Sequence, residues 1–429
     1  MQPHSWGAAR EFMRSTMCWS AALVLCASVG VASGQAQLDL PRGEFVEVAL
    51  ESGALDNPGD NWAAIELGVV SVEGAAWLRL HFDELTLIGG SRLRVTSSLD
   101  GQIQTHDAVS ASDWNRTTAY FNGDRVTIEA ILAPRTAGTR VTLRRVSAER
   151  EAPAWPSALC GICVPDTREP TMGLAFGRLM PVGCSGVVSC TKSVVLSAGH
   201  CVTGDLVVQF NVPTSGADCK PAHPPVEDQF PVTWAQFEKG GVGNDWAVLT
   251  TGANSEGQTI FEKYKAMAPV SETVAALGQA VDAFGYGAVE APDCEKTQTQ
   301  QRSDGVITLV KGSHYKFDND VTYGNSGSPL MLNGEIIGIV THCGTVCGNN
   351  IATRVDRPAF LAAREAASDC ARTWCLADFN LDGVVNSMDM LAFLYAYAQG
   401  ELSADLDGDG RLTTLDVLVF MNAWAAGCP

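Results

Sequence analysis

The sequence is short of basic residues. Lys and Arg number 29 against 48 Asp and Glu, giving a formal charge of −19 and a pI near 4.7. Phosphate binding needs clustered cations, so nucleic acid is excluded as a partner. Charge of either sign is sparse at 18%, while 46% of residues are hydrophobic, which excludes a disordered chain and describes packed domains. Long apolar runs are scarce too. Apart from "MCWSAALVLCASVGVA" (17–32), no segment offers the roughly 18 uninterrupted apolar residues of a membrane span, so no transmembrane segment is expected. That one run follows Arg10 and Arg14 and precedes the small residues "SGQA", the pattern of an export signal over residues 1–36. Leu25, ahead of Cys26, is larger than lipoprotein sites usually accept, which argues against a lipid anchor.

Cysteine is missing from residues 38–150. Twelve of the fourteen Cys lie beyond the signal, an even number that favours disulfides over reduced thiols in an exported chain. Cys160 and Cys163 form a lone C-x-x-C. With no second pair and few His nearby, disulfides to other cysteines are favoured over zinc.

A length of 429 residues implies two to three domains. Residues 38–150 alternate apolar and polar positions in short runs, such as "AWLRLHF" (76–82), "SRLRVTS" (91–97) and "RVTIEAIL" (125–132), broken by "DNPGDN", "LDGQ" and "FNGD". This spacing predicts an antiparallel β-sandwich, read either as an accessory or pro-domain or as a plain structural module. Residues 151–170 are proline-rich and aperiodic, a linker or extended arm. Strand signals return over 171–368 and end in a helical "DRPAFLAAREAAS" (356–368); a third segment occupies 370–429. The sequon at Asn115 is too common a tripeptide to carry weight.

Three stretches carry chemistry. "VVLSAGHC" (194–201) ends an apolar strand at His200, "GNDWAVLT" (243–250) puts Asp245 before another strand, and "YGNSGSP" (323–329) presents Ser326 among small residues. A serine hydroxyl is a poor nucleophile near neutral pH and needs a base, whose imidazole in turn needs a carboxylate to hold its tautomer. The order His, Asp, Ser argues against an α/β-hydrolase, as does Ser328 where its elbow needs Gly.

These motifs, 45 and 81 residues apart, resemble the chymotrypsin-like (trypsin-fold) serine proteases over about 171–367. "GNSGSP" is similar to bacterial extracellular members, including glutamyl-endopeptidase-like ones. The resemblance implies a double antiparallel β-barrel, Ser326 as nucleophile, His200 as general base and acid, and Asp245 as its orienter. It also implies an oxyanion hole from the N–H groups of Gly324 and Ser326, Thr341 as a hydroxyl donor to Asp245, and a Cys184–Cys201 disulfide. No cofactor is implied for catalysis. The pancreatic pattern has Asp where this chain has Asn325, so maturation through that buried ion pair is not expected. It has Cys where this chain has Thr322, which leaves Cys343 and Cys347 to pair with each other or elsewhere. Asp320 stands where trypsin-like enzymes bind a basic P1 side chain, although an acid in such a turn can equally cap the loop. His342, on the cleft-side strand, could instead meet an acidic P1.

Residues 376–429 hold eight acids against one Arg. "DFNLDGVVNSMD" (378–389) and "DLDGDGRLTTLD" (405–416) repeat with an offset of 27. Both place oxygen ligands at loop positions 1, 3, 5, 7, 9 and 12, the spacing of EF-hand loops, and so predict two Ca²⁺ sites. The first set is Asp378, Asn380, Asp382, the Val384 carbonyl, Asn386 and Asp389. The second is Asp405, Asp407, Asp409, the Arg411 carbonyl, Thr413 and Asp416. Gly383 and Gly410 stand at the sharp turn. Asp at position 12 and the near absence of an entering helix resemble a type I dockerin, which implies a possible cohesin-like partner. The expectation is therefore mainly β: a sandwich, a double β-barrel serine endopeptidase acting on peptides, and a small helical calcium module. A secreted or cell-surface, bacterial location follows. The alternative is a catalytically silent adhesion or scaffold protein that uses the same folds for binding.

Overall fold

A computed structural model describes residues 43–150, 160–163, 165–271, 273–289, 292–367, 376–380, 384–406 and 411–427. The expected signal at 1–36, most of the linker, Asp382, Asp407, Asp409 and Cys370, Cys375 and Cys428 lie outside these residues.

The alternating runs of the N-terminal region form two antiparallel sheets. One orders Glu44–Glu51, Thr136–Ala148, Trp77–Thr86 and Phe121–Asn122, with Leu55–Asn57 also pairing to Thr136–Ala148. The other orders Ala63–Ser71, Arg125–Leu132, Arg92–Ser97 and Ile103–His106. Period-2 patterning decides which face is buried: in Arg125–Leu132, Val126, Ile128, Ala130 and Leu132 are buried and the residues between them are not. Val126 and Ile128 share a core with Trp77, Leu80, Phe82 and Leu143 of the facing sheet, which makes a sandwich.

Two closed barrels follow. The first ring runs Phe176–Met180, Cys184–Cys190, Val194–Ser197, Asp245–Thr251, Gln229–Lys239 and Val207–Gln209, which returns to Phe176–Met180. The second runs Gln301–Val310, Ala280–Gly285, Pro329–Leu332, Glu335–His342, Asn350–Arg354 and His314–Phe317, closed by pairing with Gln301–Val310. Several of their strands, such as Val194–Ser197 and Pro329–Leu332, are buried on both faces, whereas Gln229–Lys239 and Gln301–Val310 keep exposed positions. Phe176 and Phe284 stack at 4.4 Å across the join. The helix Pro358–Ala367 returns to the first barrel, with Phe360 edge-on to Trp246 at 5.6 Å.

Four disulfides are described: Cys160–Cys343, Cys163–Cys347, Cys184–Cys201 and Cys219–Cys294; Cys190 is bonded as well. Residues 160–170 are thus an arm and not a loose linker. Two disulfides anchor the arm, Gly161 N–H donates to Gly344 O at 2.8 Å, and Glu169–Pro170 pairs with Gln301–Val310. Cys343 and Cys347 bond to this arm and not to each other.

In the tail, Ser387–Gln399 and Thr414–Ala426 are helices whose Phe393 and Phe420 rings stack at 4.4 Å, with Phe379 edge-on to both. Among the described residues no helix is long and apolar enough to cross a membrane.

Candidate active site

The buried strand Val194–Ser197 ends in a tight turn, Gly199–Cys201, that carries His200. Only Gly fits at 199, since a Cβ there would lie 1.8 Å from the Glu238 carbonyl oxygen. Asp245 opens the neighbouring strand and is fully buried. Its two oxygens take two donors from the same residue: His200 N–H at 2.9 Å and His200 Nδ1 at 2.5 Å. That double grip fixes ring orientation and tautomer, leaving Nε2 as the ring's acceptor. His200 Nε2 is buried and has no hydrogen-bond partner among the described residues.

Ser326 is buried in the turn before Pro329–Leu332. Gly324 and Gly327 on either side adopt φ of +91° and +89°, which L side chains rarely reach. Space forbids side chains as well: a Cβ at 324 would meet Tyr286 O at 2.3 Å, and one at 327 would meet Ser185 O at 2.0 Å. The turn is latched to both barrels. Ser185 N–H donates to Ser326 O at 2.7 Å and Ser185 Oγ to Gly324 O at 2.8 Å, while Gly327 N–H donates to Val340 O at 2.7 Å. Cys201 Sγ, next to His200, lies 3.7 Å from the Ser326 carbonyl oxygen. The Gly324 amide donates to no protein acceptor among the described residues. The His200 ring also comes within 4.8 Å of Cys184 and Cys201, but their sulfurs are joined in a disulfide and are not free metal ligands.

Several flanking residues sit differently from expectation. Asp320 is buried with its carboxylate taken up by the arm: Oδ1 accepts from Cys163 N–H at 2.5 Å, and Oδ2 from Thr167 N–H and Oγ1, both at 2.7 Å. It therefore caps the arm instead of waiting for a cation. Thr341 Oγ1 pairs with His342 Nδ1 at 2.8 Å and reaches Ile351 O at 3.4 Å, which corrects its expected partnership with Asp245. His342 is 3% exposed; burial lowers its pKa from the usual value, His200 and His314 push the same way, and Asp245 opposes them. Asn325 braces the turn, accepting from Thr322 N–H at 3.0 Å and reaching Ser328 Oγ at 3.4 Å.

Ser185, Ser197 and Gln298 are supports that the motifs did not single out. Ser185 Oγ also accepts from Tyr286 N–H, Ser197 Oγ donates to Ser185 O, and Gln298 Nε2 donates to the Gly183 and Tyr286 carbonyls. Their one sequence signal is a polar residue inside or beside an apolar stretch.

In the tail, Asp389 and Asp416 are fully buried at the helix starts. Asp389 accepts from the N–H groups of Asn380 (3.0 Å) and Asn386 (2.8 Å), and Asp416 from those of Leu406 (2.8 Å) and Thr413 (2.7 Å). Asn386 and Thr413 cap the two helices. Asp378 and Val384 lie in the first loop, and Asp405 and Arg411 in the second.

Comparison with known proteins adds a family. Residues 166–360 match the family Trypsin. No curated protein matches the chain. Solved structures similar to it include a Glu endopeptidase in complex with MPD, at 18% identity and a TM-score of 0.39, covering 48% of this chain and 98% of that one. Another is a thermostable serine protease, AL20, from an extremophilic microorganism, at 18% identity and a TM-score of 0.37, covering 46% of this chain and 98% of that one. Carried on two closed barrels and matched by its own sequence, the segment 166–360 is a trypsin-family serine protease domain of the chymotrypsin fold.

Proposed function

We propose that the protein is a secreted serine endopeptidase working through His200, Asp245 and Ser326. The observation that carries this reading is the double hold of Asp245 on His200, which leaves Nε2 as an unpartnered buried acceptor. In this reading Nε2 takes the Ser326 hydroxyl proton as Oγ attacks the peptide carbonyl, and Asp245 stabilises the imidazolium that forms. The Gly324 and Ser326 amides receive the oxyanion, with Gly324 held at a φ that turns its N–H away from the backbone ladder. His200 returns the proton to the leaving amine, and water then releases the acyl group. A fluorophosphonate probe tests the assignment: labelling of the wild type that disappears in Ser326→Ala supports it, and a folded wild type that takes no label defeats it.

The occupied carboxylate of Asp320 argues against a basic P1 residue, because a second cation would have to displace three hydrogen bonds. His342 is the group we assign to an acidic P1; because burial lowers its pKa, the charged pair would form only as the incoming carboxylate draws a proton onto the ring. Cleavage of a peptide library decides this: a preference for Lys or Arg would overturn it. Maturation in this reading avoids an ion pair at position 325, since Asn325 is engaged within its own turn.

For the tail we propose two bound Ca²⁺ ions. The candidate ligands are oxygens throughout at EF-hand spacing, which suits a hard cation, while the buried Asp389 and Asp416 carboxylates hold the two loops closed through backbone N–H groups. Asp378, Asn380, Asp382, Val384, Asn386 and Asp389 would hold one ion, and Asp405, Asp407, Asp409, Arg411, Thr413 and Asp416 the other, neutralising a segment of eight acids. The dockerin resemblance then makes the tail a tether or a site for a cohesin-like partner. Calcium titration of the full chain, followed by protection of the tail from added protease, is the check; the same cleavage rate with Ca²⁺ and with chelator would end the proposal.

A further inference from the structure

The boundary between the sandwich and the first barrel is built like an interior. The core cluster of the sandwich continues into Met180, Val207 and Val226 of the protease domain. Across the same boundary two side-chain amides each bracket the other domain's backbone. Gln229 of the barrel accepts from Tyr120 N–H and donates to Tyr120 O, both at 2.9 Å. Asn122 of the sandwich donates to His223 O at 2.7 Å and accepts from His223 N–H at 3.0 Å. Gln102 takes the Val226 N–H at 2.9 Å, and Arg79 donates to Asp205 O at 2.8 Å. The His223 ring stacks on Tyr120 at 4.2 Å, with Trp77 edge-on at 5.2 Å. Gln229, His223, Tyr120 and Arg79 are all at least 97% buried.

We infer that the sandwich is a permanent structural partner of the protease domain, one that a cut in the connecting segment does not release. Separation would strip His223 N–H and C=O, Val226 N–H and the Gln229 amide of partners while exposing three apolar side chains of the barrel. Water would take the place of those partners, but the apolar contacts of Met180, Val207 and Val226 with the sandwich core would be lost outright. A removable segment would instead present groups that water can satisfy on both sides. The inference concerns residues 43–150 and does not depend on the catalytic assignment.

The test uses the full chain carrying Ser326→Ala, so that self-cleavage plays no part, with a site-specific protease sequence written into 151–159. After cutting, native gel filtration is expected to return both pieces in one peak at the uncut volume, at low salt and at 1 M NaCl alike. No disulfide can hold them together, because residues 38–150 contain no Cys. Two peaks, or loss of the protease piece as aggregate, overturn the inference. A second chain with Gln229→Leu and Asn122→Leu is expected to come apart on cutting while its uncut far-UV spectrum stays that of the parent. If those pieces still co-elute, the amides are not what joins the domains and the assignment falls.

Discussion

The sandwich and the C-terminal module flank the same protease domain, yet they attach to it in opposite ways. The sandwich shares a core with the first barrel, receives the buried Gln229 amide from it, and sends the half-buried Asn122 and the buried Arg79 across in return. The module has a core of its own, Phe393, Ala396, Ala404 and Phe420. It faces the barrels across a cavity lined on its side by Leu402, Leu406, Leu415 and Leu418, and an ion pair described between them, Arg411 with Glu169 at 3.6 Å, has both side chains more than 70% exposed. Buried polar contacts need a specific partner geometry, whereas an exposed ion pair is satisfied almost as well by water. Attachment here therefore follows from how much polar surface is desolvated at each junction.

The strongest way to break this contrast is truncation. Deleting residues 43–150 is expected to abolish soluble, folded protease, while deleting 370–429 leaves peptide hydrolysis within about twofold; a folded protease without its sandwich, seen by near-UV circular dichroism, would refute the contrast. Next comes Phe420→Ala, which removes one ring of the stacked pair. It should cost the module about 3–5 kcal/mol and lower its calorimetric transition while that of the sandwich and barrels stays put. Arg79→Ala should do the converse. It strips donors from Thr118 O, Asp205 O and Thr117 Oγ1, destabilising sandwich and protease together by about 3 kcal/mol in urea titration.

Acid sharpens the comparison further. His106 and His81 have folded pKa values lowered to about 4 from 6.5, chiefly by burial. Lowered values mean that the unfolded chain binds those protons more readily, so stability present above pH 6.5 is lost as pH falls toward 4. Glu149, raised by burial to about 7 from 4.5, opposes them: its contribution is present below pH 4.5 and lost as pH rises through 7. Two groups against one leave the sandwich acid-sensitive, and His106→Phe should flatten the dependence of its melting temperature between pH 6.5 and 4. An unchanged slope would count against it. The smallest effect is reserved for Arg411→Ala, expected to shift no transition by more than about 0.5 kcal/mol.

Much of this was legible beforehand because it is periodic or local. Alternation in "RVTIEAIL" specifies a strand and its buried face, and the 27-residue repeat announces two loop–helix units whatever surrounds them. The catalytic candidates were legible as strand ends followed by small residues, since Gly199, Gly324 and Gly327 stand where backbone crowding leaves no room for a Cβ. Asp320 and Thr341 were harder. A carboxylate six residues before a nucleophile reads the same whether it faces a substrate or the Cys163 and Thr167 amides. Only the path of the arm, set by two long-range disulfides, separates the cases.

The sequence alone determined the strand and helix pattern, the acidic composition that excludes nucleic acid, and the three stretches that carry His200, Asp245 and Ser326. Tertiary structure alone decided the cysteine pairs other than Cys184–Cys201, where the Asp320 carboxylate and the Thr341 hydroxyl go, and that the sandwich and first barrel share one interior. The last of these, and the disulfides that fix the arm, depend on contacts between residues roughly 100 or more positions apart, such as Tyr120 with Gln229 and Asn122 with His223. Neither pair belongs to a motif, because an amide side chain can bracket any backbone that the fold brings to it.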